Sequence, residues 1–104
     1  MPISTANVTT NISNVYVSVG NTAVTFLSLC NYSVSNVSAN VYVVPSGGSP
    51  SVQNIVFSTL DITTNDTYQI YAGSEKILLG NGDTIRCSAS GNSAITAVTS
   101  YTPI

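Results

Sequence analysis

The chain has 104 residues, the size of one domain with a single buried core. Only six residues are charged (Asp61, Asp66, Glu75, Lys76, Asp83 and Arg86), and the net charge is −2. Two basic residues make no footprint for nucleic acid and no polybasic attraction to anionic lipid, so neither partner is expected.

The remaining composition sets a class. An apolar content of 43% belongs to a globular chain. Charged residues make up 6%, against about 25% in an ordinary soluble domain, and 16 Ser, 13 Thr and 11 Asn take their place. Net charge keeps free monomers apart, and a neutral hydroxyl-rich surface lacks that protection. The composition therefore points to a protein packed against copies of itself or a scaffold, with a lone domain in a low-charge niche as the plainer alternative. No run of 18 apolar residues occurs, so no membrane-spanning helix is expected. The start, Met1 to Asn7, lacks the basic and apolar regions of a signal peptide, and synthesis in a cytosol is expected.

In chain order, Pro2 to Asn14 is polar and weakly patterned, an extended arm (1–12) or a short edge strand. Val15, Val17 and Val19 alternate with Tyr16 and Ser18 as a half-buried strand does. Gly20-Asn21 marks a turn, read as a two-residue hairpin. Thr22 to Tyr32 is the longest strand candidate, with Val24, Phe26 and Cys30 on one face and Ala23, Leu27 and Leu29 on the other. Apolar residues on both faces suit a central strand. Val37, Ala39, Val41 and Val43 then alternate with Ser38, Asn40, Tyr42 and Val44, and Pro45 to Pro50 is the strongest loop signal. Val52 to Ile62 reads as a strand, Asp61 to Asp66 as a turn cornered at Asn65-Asp66, and Thr67 to Ala72 as a short strand. Gly91-Asn92 makes a further turn, and Ala94 to Tyr101 closes the series, with Pro103 ending it.

The stretch from Glu75 to Ser90 organises the C-terminal half. Ile77, Leu78 and Leu79 form a dense apolar run, and Ile85, Cys87 and Ala89 alternate with Thr84, Arg86 and Ser88. Between them Asn81-Gly82 offers two residues tolerant of positive φ, so the stretch reads as a hairpin with a type I′ turn. Ile77, Leu79, Ile85 and Cys87 are assigned to the core. No segment shows a 3.6-residue period over ten residues. About seven or eight strands, spaced by turn signals, predict an all-β single domain over 1–104, an antiparallel β-sandwich of immunoglobulin-like or jelly-roll type.

Chemistry is scarce. The chain has no His, which removes the usual general base, nucleophile activator and metal ligand. Ser-His-Asp and Cys-His sites cannot form within one chain, and two Cys cannot complete a zinc site. No catalytic, cofactor or metal residue is assigned. Asp61, Asn65 and Asp66 are read as turn residues rather than calcium ligands. Cys30 and Cys87 are read as reduced, buried thiols rather than an inter-sheet bridge. Sequons at Asn7, Asn11, Asn31, Asn36 and Asn65 are read as unused. The residues left over are Glu75, Lys76, Asp83 and Arg86, expected to set the register of a contact, with Tyr42 and Tyr101 as interface aromatics.

From Leu60-Asp61-Ile62 through Glu75-Lys76-Ile77-Leu78-Leu79 and Gly82-Asp83-Thr84-Ile85-Arg86 to Val98-Thr99-Ser100-Tyr101, the chain resembles small virion proteins of tailed bacteriophages. The resemblance covers Asn54 to Ile104. It implies a β-sandwich that decorates or cements a capsid, or builds a neck, tail or fibre part, without enzymatic activity. It further implies a homo-oligomer, with trimers favoured, on the major capsid protein of a virion. A carbohydrate-binding or adhesin module is the reading from another class, weakened by the absence of Trp.

Overall fold

The computed structural model describes residues 3–71, 77–91 and 94–104. Nine strands account for most of them: β1 (Ile3–Val8), β2 (Ser13–Val17), β3 (Thr22–Asn31), β4 (Val37–Val44), β5 (Ile55–Ile62), β6 (Thr67–Tyr71), β7 (Ile77–Leu79), β8 (Thr84–Ala89) and β9 (Ile95–Pro103). They form two sheets, of order β1-β9-β3-β6 and β2-β8-β4-β5, and β7 pairs with β3 beside β6. Every pairing is antiparallel. The protein is an all-β sandwich.

The pairing decides between the two sandwich types. β4 pairs with β5, β3 with β6 and β7, β2 with β8, and β1 with β9. The chain is thus one long hairpin, bent at the β4–β5 loop and rolled so that its layers alternate between sheets. That is jelly-roll winding. An immunoglobulin domain places its first two strands side by side in one sheet, whereas β1 and β2 here lie in different sheets. The N-terminal segment is an edge strand on β9 rather than a free arm.

The inner faces meet as the period-two pattern dictates. Val24, Leu27 and Leu29 of β3, Ile95 and Ala97 of β9, and Val8 of β1 pack against Val37, Ala39 and Val41 of β4 and Ile85, Cys87 and Ala89 of β8. Leu27, Leu29, Ile85 and Ile95 are fully buried. Each such side chain contributes about 1.5–3 kcal/mol of burial. Tyr16 and Tyr101 join the two sheets with ring centroids 4.5 Å apart. On the other flank Phe57 of β5 meets Tyr68 of β6 edge-on at 5.9 Å.

Three expectations need correction. The predicted hairpin is a corner: β7 pairs with β3 in one sheet, while β8 pairs with β2 and β4 in the other. Its turn has Gly82 at φ 86 and an Asp83 N–H to Gly80 carbonyl bond of 3.1 Å, and Asn81 does not take a positive φ. That is the type II pattern, not type I′. Gly20 likewise serves a crossing between sheets, from β2 to β3, and not a hairpin. Finally, the register shift at Val15 reverses the alternation of β2, so Tyr16 and Ser18 turn inward while Val17 and Val19 face water.

The cysteines point to opposite sides. Cys87 faces the core, and Cys30 lies half-buried on the outer face of the five-stranded sheet; both are free thiols. Burial alone pushes the Cys87 thiol from its ordinary 9.0 up to about 12.

Candidate functional site

The crossing at Gly80–Asp83 belongs to a tightly connected end of the sandwich. Asp83 Oδ2 accepts from the Gly80 N–H at 2.8 Å and Oδ1 accepts from the Ser46 N–H at 2.8 Å, tying the β7–β8 turn to the β4–β5 loop. The Ser18 N–H donates to the Asp83 carbonyl and the Gly82 N–H to the Ser18 carbonyl, both at 2.9 Å, which adds the β2–β3 turn. Asn81 Oδ1 accepts from the Gly20 N–H at 2.9 Å, and the Ile104 N–H reaches the Asn21 carbonyl at 3.0 Å. Gly82 packs so closely that a Cβ there would stand 2.5 Å from Ser46 Oγ. Gly48 lies against Val44, which is fully buried outside the main core cluster.

This frame presents aliphatic side chains to water. Val19 is 83% exposed, Val52 89%, Leu78 68% and Ile104 68%, and Val17 is 45% exposed at the end of β2. All five lie in or next to the three connections and the C-terminus that the hydrogen bonds hold together. Exposed apolar residues on a fixed backbone suit a contact surface. Among the described residues of these connections Asp83 is the charged one, and its carboxylate is turned to backbone N–H groups.

The expected site residues fall in different places. Asp83 is the tie just described. Arg86 lies on the outer face of the four-stranded sheet, where its Nε donates to Thr84 Oγ1 at 3.1 Å. Tyr42 is directly opposite Arg86 on that face, so these two are neighbours. Tyr101 is on the other sheet, half-buried against Tyr16. Glu75 and Lys76 lie outside the described residues. Val19, Val52, Leu78 and Ile104 had no functional signal in the sequence: Val19 reads as one more inward valine until the shift at Val15 is known.

The opposite end holds a shallow cleft of about 420 Å³, lined by Asn36, Ser38, Asp61, Thr63 and Ser90 with Val37 and Ile62 at its floor. Its hydroxyls and one exposed carboxylate suit a polar ligand. Asp66 closes its own turn there, accepting from Thr63 Oγ1 at 3.1 Å and from the Thr67 N–H at 2.9 Å, with Asn65 at φ 61. Among the described residues no group of three His, Cys, Asp or Glu is placed to hold a metal ion. Asn31 is fully buried and its amide fully bonded, so its sequon offers no accessible acceptor.

No protein family, curated protein or solved structure matches this chain.

Proposed function

We propose that the protein is a structural subunit of a tailed-phage virion, most simply a decoration or cement protein that stabilises the shell by many-copy association with the major capsid protein. A tail, neck or fibre part is the variant of this reading. The observation that carries it is the hydrogen-bonded end, where exposed Val19, Val52, Leu78 and Ile104 sit on a frame held by Asp83. Apolar contacts of modest size gain strength when a symmetric particle repeats them. The low charge of the whole chain removes the repulsion that many copies would otherwise meet. The sequence resemblance over Asn54 to Ile104 supports the same reading, and the jelly-roll winding supports it only by analogy, since viral capsid and lectin domains share it. The test is to purify particles from the host that makes the protein, count its copies by mass spectrometry and image particles that lack it. Symmetric loss of surface density is expected. Particles free of the protein, and unchanged by its deletion, would overturn the reading.

The cleft at Ser38, Asp61 and Ser90 favours a second reading, a carbohydrate-binding module. Glycan binding by the isolated protein, lost in Asp61→Ala, would decide for it.

A further inference from the structure

A repeating assembly needs more than one contact, and the sheet edges differ in a way that supplies the second. We propose that the β1 edge pairs with β1 of a second copy, antiparallel about a twofold axis, joining two five-stranded sheets into one. This rests on the many-copy reading above.

Three of the edges are interrupted. β5 has two register shifts against β4, and its Thr59 takes φ 53, a left-handed conformation costly for a β-branched residue. β2 shifts at Val15. The far side of β3 is covered by two short pieces, β6 and β7, with a shift between Leu27 and Ser28. Such breaks are how edge strands are kept from pairing with another chain. β1 has none. It pairs with β9 in unbroken register from Ile3 to Val8, and its sequence, Ile-Ser-Thr-Ala-Asn-Val, holds no charge and no proline. Its outer side offers alternate backbone N–H and C=O groups to a further strand.

Charge identifies the occupant. Asp61 and Asp66 lie on β5 and in the β5–β6 turn, on the opposite flank, where two copies would set like charges together. At β1 neither copy brings a charge, so a second copy approaches without repulsion and a charged foreign strand finds no counter-charge. A twofold contact is also self-complementary. Pairing in the register that keeps Ile3, Thr5 and Asn7 of both copies on the outer face continues the alternation of each sheet; a one-residue slip would break it. A six-residue edge buries less than the ~1,200 Å² of a stable interface, so the pairing should depend on concentration.

The test compares the full chain with Thr5→Lys, a change at an exposed outer-face position that sets two cations near the axis. Sedimentation equilibrium from micromolar to millimolar protein is read beside amide exchange of Ile3 to Val8. For the wild type, mass should rise and the solvent-facing β1 amides should gain protection with concentration. Thr5→Lys should weaken association roughly five- to tenfold at unchanged circular dichroism. If the wild type associates while β1 amides exchange at a constant rate, or Thr5→Lys associates equally well, the edge proposal is overturned and the many-copy reading stands. A wild-type monomer at every concentration overturns both.

Discussion

Each end of the sandwich has a polar side chain that ties several backbone groups at once, and the two use different chemistry. At one end the Asp83 carboxylate, half-buried at the rim, accepts from the Gly80 and Ser46 N–H groups at 2.8 Å each. At the other end Asn31 is fully buried; its Nδ2 donates to the Ser35 and Ile62 carbonyls at 2.9 Å, and its Oδ1 accepts from the Ser33 N–H at 3.0 Å and Oγ at 2.7 Å. A buried carboxylate facing two carbonyls would be both unpaired and repelled, so only an amide, with two donors and an acceptor, satisfies that site. Depth in the structure thus selects the residue. The surfaces differ too: the Asp83 end presents Val19, Val52, Leu78 and Ile104, and the Asn31 end carries the polar cleft beside exposed Val34 and half-exposed Ile12 and Tyr32.

Removing the ties measures that difference. Asn31→Ala leaves the buried Ile62 carbonyl without its donor and also releases half-buried Ser33 and the Ser35 carbonyl, and should cost roughly 3 kcal/mol in urea unfolding. Its amide-exchange losses should concentrate around Ser33 to Asn36 and Ile62 to Asp66. Gly82→Ala places a Cβ against Ser46 Oγ at a positive φ, and should cost about 2–3 kcal/mol. Asp83→Ala leaves two N–H groups that water can reach at the rim, so about 1–2 kcal/mol is expected, with losses confined to the other end. Equal costs for Asn31→Ala and Asp83→Ala would break the argument from depth.

A smaller effect comes from the middle of the sandwich. Thr99 is fully buried in β9, and its Oγ1 has no hydrogen-bond partner among the described residues. Thr99→Val should therefore raise stability, by about 1 kcal/mol. The thiols give a check without mutation. In the native protein an alkylating reagent should modify half-exposed Cys30 and spare Cys87, which stays protonated until about pH 12. Because the unfolded thiol ionises from about 9.0, this group favours unfolding between that pH and 12.

The fold class was legible because β4 and β8 keep a clean period of two: Val37, Ala39 and Val41, then Ile85, Cys87 and Ala89, all reach the core. The winding was not. Gly20 and Asn81-Gly82 look alike whether a chain reverses within a sheet or crosses to the next one, since turn chemistry acts over four residues and strand pairing over the whole chain. Register shifts hid the rest. One extra residue at Val15 sends Val17 and Val19 to the surface, and another at Thr25 puts Phe26 on the outer face. The charged residues drew attention to the Glu75–Ser90 stretch, and Asp83 proved important there as a tie between loops. The aliphatic residues that it holds in place carry no mark in the sequence that separates them from core.

The contrast between the ends also supplies the decisive measurement. Val34 is 97% exposed at the Asn31 end, and Val19 is 83% exposed at the Asp83 end. Incorporation into purified particles can be compared for Val19→Glu and Val34→Glu, two equal charges on equally accessible valines. Loss of incorporation for Val19→Glu with normal incorporation for Val34→Glu is the expected result. Equal incorporation of both variants would contradict the assignment of the Asp83 end as the assembly surface.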